Sequence, residues 1–363
     1  MAALSPVSVP LGDGRAYAVH LRPLADTPVL LGEVGLRAGR CLVVTDETVA
    51  ALYLDSLRDA LGSGGWTVRA HVLPPGEASK SAERLEALYG WALGLGIDRA
   101  TPVLALGGGV VGDLAGFAAA TLLRGLPLVQ LPTTLIAQAD SAVGGKTGIN
   151  HAAGKNLIGA IWQPRLVVAD PATLQTLSAR DYASGLAEVV KSALIADADF
   201  VGWLGARWDE VLAREPSVVA PLVRRTAAIK AVIVAEDERE AGRRALLNFG
   251  HTFAHAIERA AGYGTFTHGE AVALGMRAAL HLSRALAPEA SFDQADALVS
   301  RLPVPPGLAQ IPTEALTDAM ATDKKRRAGR LRFVVLGKIG QARLAADVTP
   351  EAVAAAWEAA KAS

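Results

Sequence analysis

The chain has 363 residues, of which 51% are apolar and 20% charged, and its formal net charge is zero. This length suits two domains of a globular protein, and the neutral balance argues against broad binding to nucleic acids or anionic membranes. Cys41 is the only cysteine, so an internal disulfide is excluded, which fits a reducing cytoplasm.

The first half of the sequence alternates short apolar runs with helical patterns. The apolar runs, which predict buried strands, are residues 40–45, 66–73, 101–106, 126–131 and 166–169. The helical patterns between them are residues 47–61, 81–95 and 112–123. Because strands and helices in alternation favour parallel pairing, we predict a Rossmann-like sheet. The most apolar stretch, 102–123, contains three consecutive glycines, which fits strand, turn and helix rather than a membrane span.

After Pro171 the pattern becomes mostly helical, with one strand-like run at 331–335. The helical patterns there are residues 182–195, 200–214, 217–236, 246–261, 269–285 and 292–301. We therefore expect an α/β protein with a Rossmann-like domain over residues 1–171 and a mostly α-helical domain over residues 172–363.

A glycine loop lies between the third predicted strand and the helix that follows it. Residues 107–112 read Gly-Gly-Gly-Val-Val-Gly, and a helix N-terminus after such a loop supplies amide donors to a pyrophosphate. A tight turn without a ligand is the alternative. The acidic residue expected after the next strand is missing, because that strand ends at Pro132, Thr133 and Thr134. Asp46 ends the first strand instead, so we expect it to hold a ribose hydroxyl.

Two further features of the first half concern anions and the helix start. Asp113 opens the helix after the glycine loop, as a polar contact or as a cap. Residues 144–147 resemble the end of a phosphate-binding loop, but Asp140 stands where that motif needs glycine, which excludes a standard ATPase loop. Lys146, Lys155 and Asn156 in this glycine-rich region could instead grip a substrate phosphate.

The second half contains a candidate metal site. His251 and His255 are one helical turn apart, His268 follows, and Glu188 lies upstream. Two histidines and a carboxylate are typical of an open site for a catalytic divalent metal. The alternative is an ion pair of Glu188 with Lys191 and histidines without a ligand. Basic residues that could direct positive potential at one anionic substrate are Lys191, Lys230, Arg244 and the run 324–327.

With these motifs in view, the chain resembles the 3-dehydroquinate synthase family from Asp46 to about Gly340. The resemblance rests on the order and spacing of eight segments, which are Pro75–Lys80, Gly107–Asp113, Leu131–Thr134, Gln138–Asn150, Gly154–Asn156, Gly185–Lys191, Leu246–Thr252 and His268–Val272. The scaffold also resembles the wider group that includes glycerol dehydrogenase.

The resemblance implies a carbon–oxygen lyase of the shikimate pathway that converts 3-deoxy-arabino-heptulosonate 7-phosphate to 3-dehydroquinate and phosphate. It implies transient oxidation by NAD, β-elimination of phosphate, re-reduction, ring opening and an intramolecular aldol closure. It also implies one divalent metal, zinc or cobalt, and a cytoplasmic homodimer whose substrate is a phosphorylated sugar acid. From composition we expect no nucleic-acid or membrane partner.

The resemblance also implies a role for individual residues. The metal ligands are Glu188, His251 and His268. The cofactor contacts are Asp46, Thr48, Glu77, Lys80, Gly108, Gly109, Val110, Asp113, Thr133, Thr134, Lys146 and Lys155. The substrate contacts are Arg124, which reaches across a dimer interface, Asp140, Lys146, Lys155, Asn156, Lys191, Lys230, Arg244, Asn248, His255 and Lys324, with Lys325 as the alternative to Lys324. The residues implied in catalysis are Asp140, Lys146, Glu240, Asn248 and His255.

One departure from the family pattern bears on the cofactor, and three alternatives to the implied reaction remain. Thr48 stands where the family usually has asparagine, so we expect altered NAD affinity rather than lost binding. Glu240 could also be a plain surface charge within an acidic run. The alternatives to the implied reaction are a sugar-phosphate cyclase whose substrate lacks a carboxylate, a polyol dehydrogenase, and a non-enzymatic NAD-binding protein.

Overall fold

The computed structural model describes residues 4–240, 242–262, 264–326, 332–345 and 347–362, without the side chains of 321–326. The chain forms two compact units. Unit 1 comprises the chain up to Leu177 and a second segment, Val219–Arg239. Unit 2 comprises Ser178–Val218 and the chain from Glu240 onward. The division falls a few residues after the predicted boundary at 171. The segment Val219–Arg239, which the prediction placed in the second domain, belongs to unit 1.

Unit 1 is built on a seven-stranded sheet in the order β1-β2-β9-β6-β5-β3-β4. Its strands are β1 Val7–Pro10, β2 Ala16–Leu21, β3 Arg40–Asp46, β4 Thr67–Leu73, β5 Val103–Gly107, β6 Leu128–Pro132 and β9 Leu166–Ala169. Only β1 pairs in the antiparallel sense, with β2, and the other neighbours are parallel. A separate antiparallel hairpin joins β7 Lys146–His151 to β8 Gly154–Ile161.

Helices cover both faces of this sheet. They are α1 Thr27–Glu33, α2 Glu47–Val49, α3 Asp55–Ser63, α4 Ala82–Gly94, α5 Gly109–Thr121 and the larger part of α9 Pro216–Glu236. Along β3, Leu42 packs into a cluster with Leu114 of α5, whereas Val43 packs into one with Leu57 of α3. A strand that is buried on both faces needs an unbroken apolar run, which is why residues 41–44 are apolar without alternation.

Unit 2 is mostly helical. Its elements are α6 Ala179–Ala196, α7 Ala198–Ala206, α8 Trp208–Leu212, α10 His251–Ala260, α11 His268–Leu286, α12 Asp293–Ser300, α13 Thr313–Arg326, α14 Pro350–Ala362 and the hairpin β10 Phe333–Lys338 with β11 Gln341–Ala345. Helix α11 is central and packs closely on two others through glycines. A Cβ at Gly275 would overlap the carbonyl oxygen of Gly250, and one at Gly269 would overlap the carbonyl oxygen of Ser184.

The predicted fold class is confirmed: a parallel Rossmann-like α/β unit is joined to a mostly helical one. Details differ. The pattern at 200–214 corresponds to two helices, of which α7 ends at Ala206 and α8 begins at Trp208. The pattern at 246–261 becomes α-helical only at His251, after a 3₁₀ turn at 243–248. Among the residues that the structure describes, no helix is long and apolar enough to cross a membrane.

Candidate active site

Three helices of unit 2 bring the predicted metal ligands together. Glu188 lies in the middle of α6, whereas His251 and His268 are the first residues of α10 and α11. The start of α11 is fixed by a capping box, in which Thr267 accepts from the backbone amide of Glu270 and the Glu270 carboxylate accepts from the backbone amide of Thr267. The local sequence therefore sets where the His268 side chain leaves the helix.

The three side chains converge on one point. Oε1 of Glu188 lies 3.5 Å from Nε2 of His251 and 3.4 Å from Nε2 of His268. One ligand atom from each residue falls within 4.8 Å of the other two, and Glu188 is 1% exposed. Two imidazole nitrogens and a carboxylate oxygen are a donor set that suits zinc or cobalt, so these residues fit the metal implied by the sequence.

Charges within this cluster shift its pKa values strongly. Burial lowers the pKa of His251 to about 3, against the attraction of Glu188. Burial also opposes protonation of His268, but hydrogen bonds to Glu188 and Glu258 outweigh it and raise the pKa of His268 to about 10. For Glu188, burial is outweighed by Lys191 and the two histidines, which hold its pKa well below the usual range. The metal-free cluster therefore holds an ionised Glu188, a neutral His251 and a protonated His268, so His268 must lose a proton when a metal binds.

The glycine loop of unit 1 begins α5. Gly107 ends β5, Gly108 is the residue before the helix, and Gly109 and Val110 form its first turn. A Cβ at Gly108 would lie 3.0 Å from Cγ2 of Thr134, so a larger residue here would crowd this approach. The backbone amides of the first turn point out of the N-terminal end of α5, and this end of a helix favours an anion.

The strands on either side of β5 also end in polar residues. Asp46 ends β3 and caps α2, where its carboxylate accepts from the backbone amide of Val49 at 3.0 Å. Thr133 follows β6 and is 3% exposed, and its Oγ1 has no hydrogen-bond partner within the described part of the chain. Since β3, β5 and β6 are parallel neighbours, these residues lie at one edge of the sheet. A buried hydroxyl without a partner fits a nucleotide ligand at this edge.

A buried lysine ties the loop region to the β7–β8 hairpin. Nζ of Lys80 donates to Oδ2 of Asp113 at 2.6 Å and to Oδ1 of Asn156 at 2.5 Å, and the residue is 5% exposed. Burial raises the pKa of Asp113, although Lys80 opposes the shift. Next to this pair, Glu77 accepts from Nδ2 of Asn150 at 2.7 Å. Four predicted site residues thus belong to one polar network.

Comparison with known proteins identifies the family. The model described as 3-dehydroquinate synthase N-terminal matches residues 70–184, and that described as 3-dehydroquinate synthase C-terminal matches residues 185–326. The chain belongs to the 3-dehydroquinate synthase family. A curated 3-dehydroquinate synthase from Salinibacter ruber is 56% identical over 358 residues and aligns over 98% of both chains. One from Nitrosomonas europaea is 48% identical over 92% of this chain and 90% of its own.

A solved structure agrees with this membership. It is 2-epi-5-epi-valiolone synthase from Streptomyces hygroscopicus, solved with NAD⁺ and Zn²⁺ bound. The TM-score is 0.85 at 30% identity, and the alignment covers 99% of this chain and 98% of the other.

Several of the substrate contacts that the family resemblance implies lie in unit 2. Lys191 is 1% exposed and its Nζ lies 2.6 Å from Oε2 of Glu188, so the ion-pair alternative and the metal triad coexist. Arg244 is also buried at 1% exposure. Nδ2 of Asn248 donates to Oε1 of Glu240 at 3.3 Å, which makes Glu240 a half-buried partner rather than a plain surface charge. The backbone of Lys324 lies in α13, but its side chain and that of Lys325 are outside the described residues.

Other predicted contacts of this family member lie in unit 1. Nζ of Lys230 lies 2.8 Å from Oδ1 of Asp140 and donates to its carbonyl oxygen at 2.7 Å. Lys230 therefore belongs to unit 1, although the sequence prediction grouped it with the second domain. Lys146 is exposed at the start of β7, and Lys155 is half-buried at the start of β8. Arg124 is exposed and has a φ of 65°.

Three predicted positions need separate description. Thr48 is exposed on α2, two residues after Asp46. Oγ1 of Thr134 accepts from the backbone amide of Ala137 at 3.2 Å, so it also begins the next helical turn. His255 is exposed on α10, and its ring centroid is 5.8 Å from that of His251.

One residue of the site was missed by the sequence prediction. Oε1 of Glu258 lies 3.6 Å from Nδ1 of His268, and Glu258 is 6% exposed. The signal was its spacing, because a residue seven positions after His251 shares the same face of the helix. That spacing does not reveal which histidine the carboxylate faces, since His268 lies on α11.

Proposed function

We propose that this protein converts 3-deoxy-arabino-heptulosonate 7-phosphate to 3-dehydroquinate and phosphate. The observation that carries the proposal is the convergence of Glu188, His251 and His268 in a chain that is 56% identical to a curated 3-dehydroquinate synthase. The solved neighbour with NAD⁺ and Zn²⁺ supports the same cofactor pair here. When bound, NAD supplies a hydride acceptor, and zinc or cobalt supplies Lewis acidity toward substrate hydroxyls.

In unit 2, Glu188, His251 and His268 hold the metal. The Lys191 ammonium fixes the second oxygen of Glu188, so that Oε1 stays directed at the two histidines. Arg244 and Lys191 provide positive charge for an anionic group of the substrate, and Lys324 would add to it. Asn248 and Glu240 form a pair that orients a polar group of the substrate, and His255 is the side chain suited to move a proton near neutral pH.

In unit 1, the glycine loop holds the pyrophosphate of NAD. Asp46 accepts from a ribose hydroxyl, and the Thr133 hydroxyl, which has no partner among the described residues, hydrogen-bonds to the cofactor. Other cofactor contacts are Thr48, Glu77, Lys80, Gly108, Gly109, Val110, Asp113, Thr134, Lys146 and Lys155. Lys80 also fixes Asn156 and Asp113 through its two hydrogen bonds, which positions the hairpin beside the loop.

The substrate contacts of unit 1 are proposed from its cations. Lys146, Lys155 and Asn156 line the β7–β8 hairpin, where positive charge and an amide suit a phosphate. Asp140 is held by Lys230, so its carboxylate is oriented as a hydrogen-bond acceptor for a substrate hydroxyl. These roles follow the family resemblance residue by residue.

We also propose a homodimer that works in the cytoplasm. Arg124 is exposed, as a residue that reaches a partner's substrate phosphate must be before assembly. The outer strand β8 leaves Leu157 52%, Ile158 40% and Ile161 40% exposed, which is apolar surface that a second copy could cover. The single buried Cys41 suits a reducing compartment.

A phosphate-release assay tests the reaction. Protein supplied with NAD and Zn²⁺ or Co²⁺ should release phosphate from the heptulosonate phosphate without accumulating NADH at ~340 nm, because the hydride is returned within each turnover. Glycerol with NAD is the control for a polyol dehydrogenase, which would accumulate NADH. Sedoheptulose 7-phosphate is the control for a cyclase whose substrate lacks a carboxylate. No phosphate release from the metal-loaded protein would reject the proposal.

A further inference from the structure

Glu258 is an acidic residue buried in unit 2 that the reaction described above does not use. It follows His251 by seven residues and His255 by three on α10, so the three side chains share one side of the helix. At 6% exposure, a carboxylate needs a cationic or hydrogen-bonding neighbour to offset its lost hydration. Nδ1 of His268, 3.6 Å from Oε1 of Glu258, is such a neighbour.

The two histidines of the metal site are arranged in the same way. Each directs Nε2 at Oε1 of Glu188, at 3.5 Å for His251 and 3.4 Å for His268. Each directs Nδ1 at an oxygen of the protein. For His251 this oxygen is the backbone carbonyl of Phe249 at 3.2 Å, whereas for His268 it is the Glu258 carboxylate. The difference is one of charge, because only His268 faces an anion on its outer side.

We propose that Glu258 is a positioning residue for the metal site. Its carboxylate lies 3.6 Å from Nδ1 of His268 and favours a proton on that nitrogen, which fixes the tautomer and leaves Nε2 as the nitrogen that binds the metal. Its negative charge also makes His268 a stronger donor, as a carboxylate behind a metal-binding histidine does in general. This inference rests on the metal site of the proposed function.

Metal affinity tests the proposal without any assay of activity. Glu258→Gln keeps the shape of the side chain and removes its charge. Because outer carboxylates of this kind contribute about 10–100-fold to metal affinity, Glu258→Gln should weaken Co²⁺ binding by roughly that factor. The affinity is measured by competition with a chromophoric chelator, and the visible spectrum of bound Co²⁺ should also change. Arg259→Gln, an exposed neighbour on the same helix, is the matched control and should leave both unchanged.

The outcomes separate this inference from the proposed function. Wild-type protein that binds no Co²⁺ would overturn the metal assignment and this inference together. A wild type that binds Co²⁺, with Glu258→Gln unchanged in affinity and spectrum, would overturn this inference alone. A purely structural role predicts a lower unfolding midpoint for the metal-free variant and unchanged Co²⁺ affinity. If Glu258→Gln does not fold, Glu258→Asp is the test variant. Its shorter side chain places the carboxylate farther from Nδ1 of His268 and should weaken Co²⁺ binding. Unchanged binding would contradict the proposal.

Discussion

At the scale of single residues, the metal site is organised around buried charge. Glu188 and Lys191 are each 1% exposed, three residues apart on α6, and 2.6 Å separates their charged atoms. Such a pair is weak support for stability while both partners are present, but removing one leaves an uncompensated charge in the interior. The lysine is therefore tied to the glutamate that we propose as a metal ligand.

Lys191→Met should lower the free energy of unfolding of the metal-free protein by roughly 3–5 kcal/mol, because Glu188 loses its nearest countercharge. Added Zn²⁺ should recover more stability in the variant than in wild type, since the metal replaces the missing positive charge. Urea unfolding with and without Zn²⁺ measures both effects. Arg58→Met is the matched control, because Arg58 pairs with Asp55 at the same spacing on an exposed surface. It should cost less than about 1 kcal/mol, and equal losses for the two variants would contradict the argument.

At the scale of elements, close helix packing sets the distance between the two histidines. Gly250 precedes α10 with a φ of 79°, and its carbonyl oxygen lies where a Cβ of Gly275 on α11 would be. Because His251 and His268 begin these two helices, their separation depends on this contact. A side chain there would push α10 and α11 apart.

Gly275→Ala should therefore destabilise the protein by about 1–3 kcal/mol and weaken metal binding, since a methyl group at this contact overpacks the interface. Gly202→Ala on α7 is the control, because nothing lies within 4 Å of its added Cβ. That change should be neutral or stabilise by up to about 1 kcal/mol, as alanine favours a helix over glycine. Thermal unfolding and Co²⁺ titration of both variants test the contrast, and a stabilised Gly275→Ala would refute it.

Elements with regular apolar patterns could be predicted from the sequence, and those that depend on distant partners could not. The runs 40–45 and 126–131 predicted β3 and β6, which the structure places at Arg40–Asp46 and Leu128–Pro132, because their apolar residues are buried on both faces. The hairpin of β7 and β8 was missed, since glycines and polar residues interrupt both strands and neither shows a regular alternation of apolar and polar residues. The helix at 217–236 was predicted correctly, but its apolar pattern does not indicate against which of the two units the helix packs.

The same distinction holds for the site. Glu188, His251 and His268 could be grouped because chemistry restricts which residue types bind a metal, and the family resemblance chose His268 over His255. The partners of Lys80 could not be predicted, because Asn156 approaches it only through the fold of the hairpin.

At the scale of the whole molecule, the single thiol offers a reporter of unit 1. Cys41 lies in β3 and is 0% exposed, and burial raises its pKa from the ordinary 9.0 to about 12. Because Cys41 is buried, a thiol reagent can reach it only when unit 1 opens. Because the thiolate is the reactive form, the folded state also holds little reactive thiolate at pH 8. Above pH 9 only the unfolded state ionises at first, so this residue's contribution to stability is lost as the pH rises toward 12.

We expect labelling of Cys41 to be slow in native protein at pH 8, fast in denaturant, and slower still with NAD, because a ligand of the folded state lowers the population that opens. Labelling in denaturant is the control and should not respond to NAD. Native labelling as fast as in denaturant would show that β3 is not protected, and an absent NAD effect would argue against nucleotide binding to unit 1. The time course is followed by absorbance of the released chromophore.

The chain returns to unit 1 at Val219–Arg239, and this affects both folding during synthesis and the exchange of domains between genes. Ala227, Ala231 and Val234 of α9 pack in the same cluster as Val9 and Val167 of the sheet. On the ribosome, all seven strands emerge before this helix, so that part of the sheet remains uncovered while α6, α7 and α8 are being made. A gene fragment that ends at Leu177 encodes an incomplete core, and neither unit can be exchanged between proteins as one uninterrupted stretch of coding sequence.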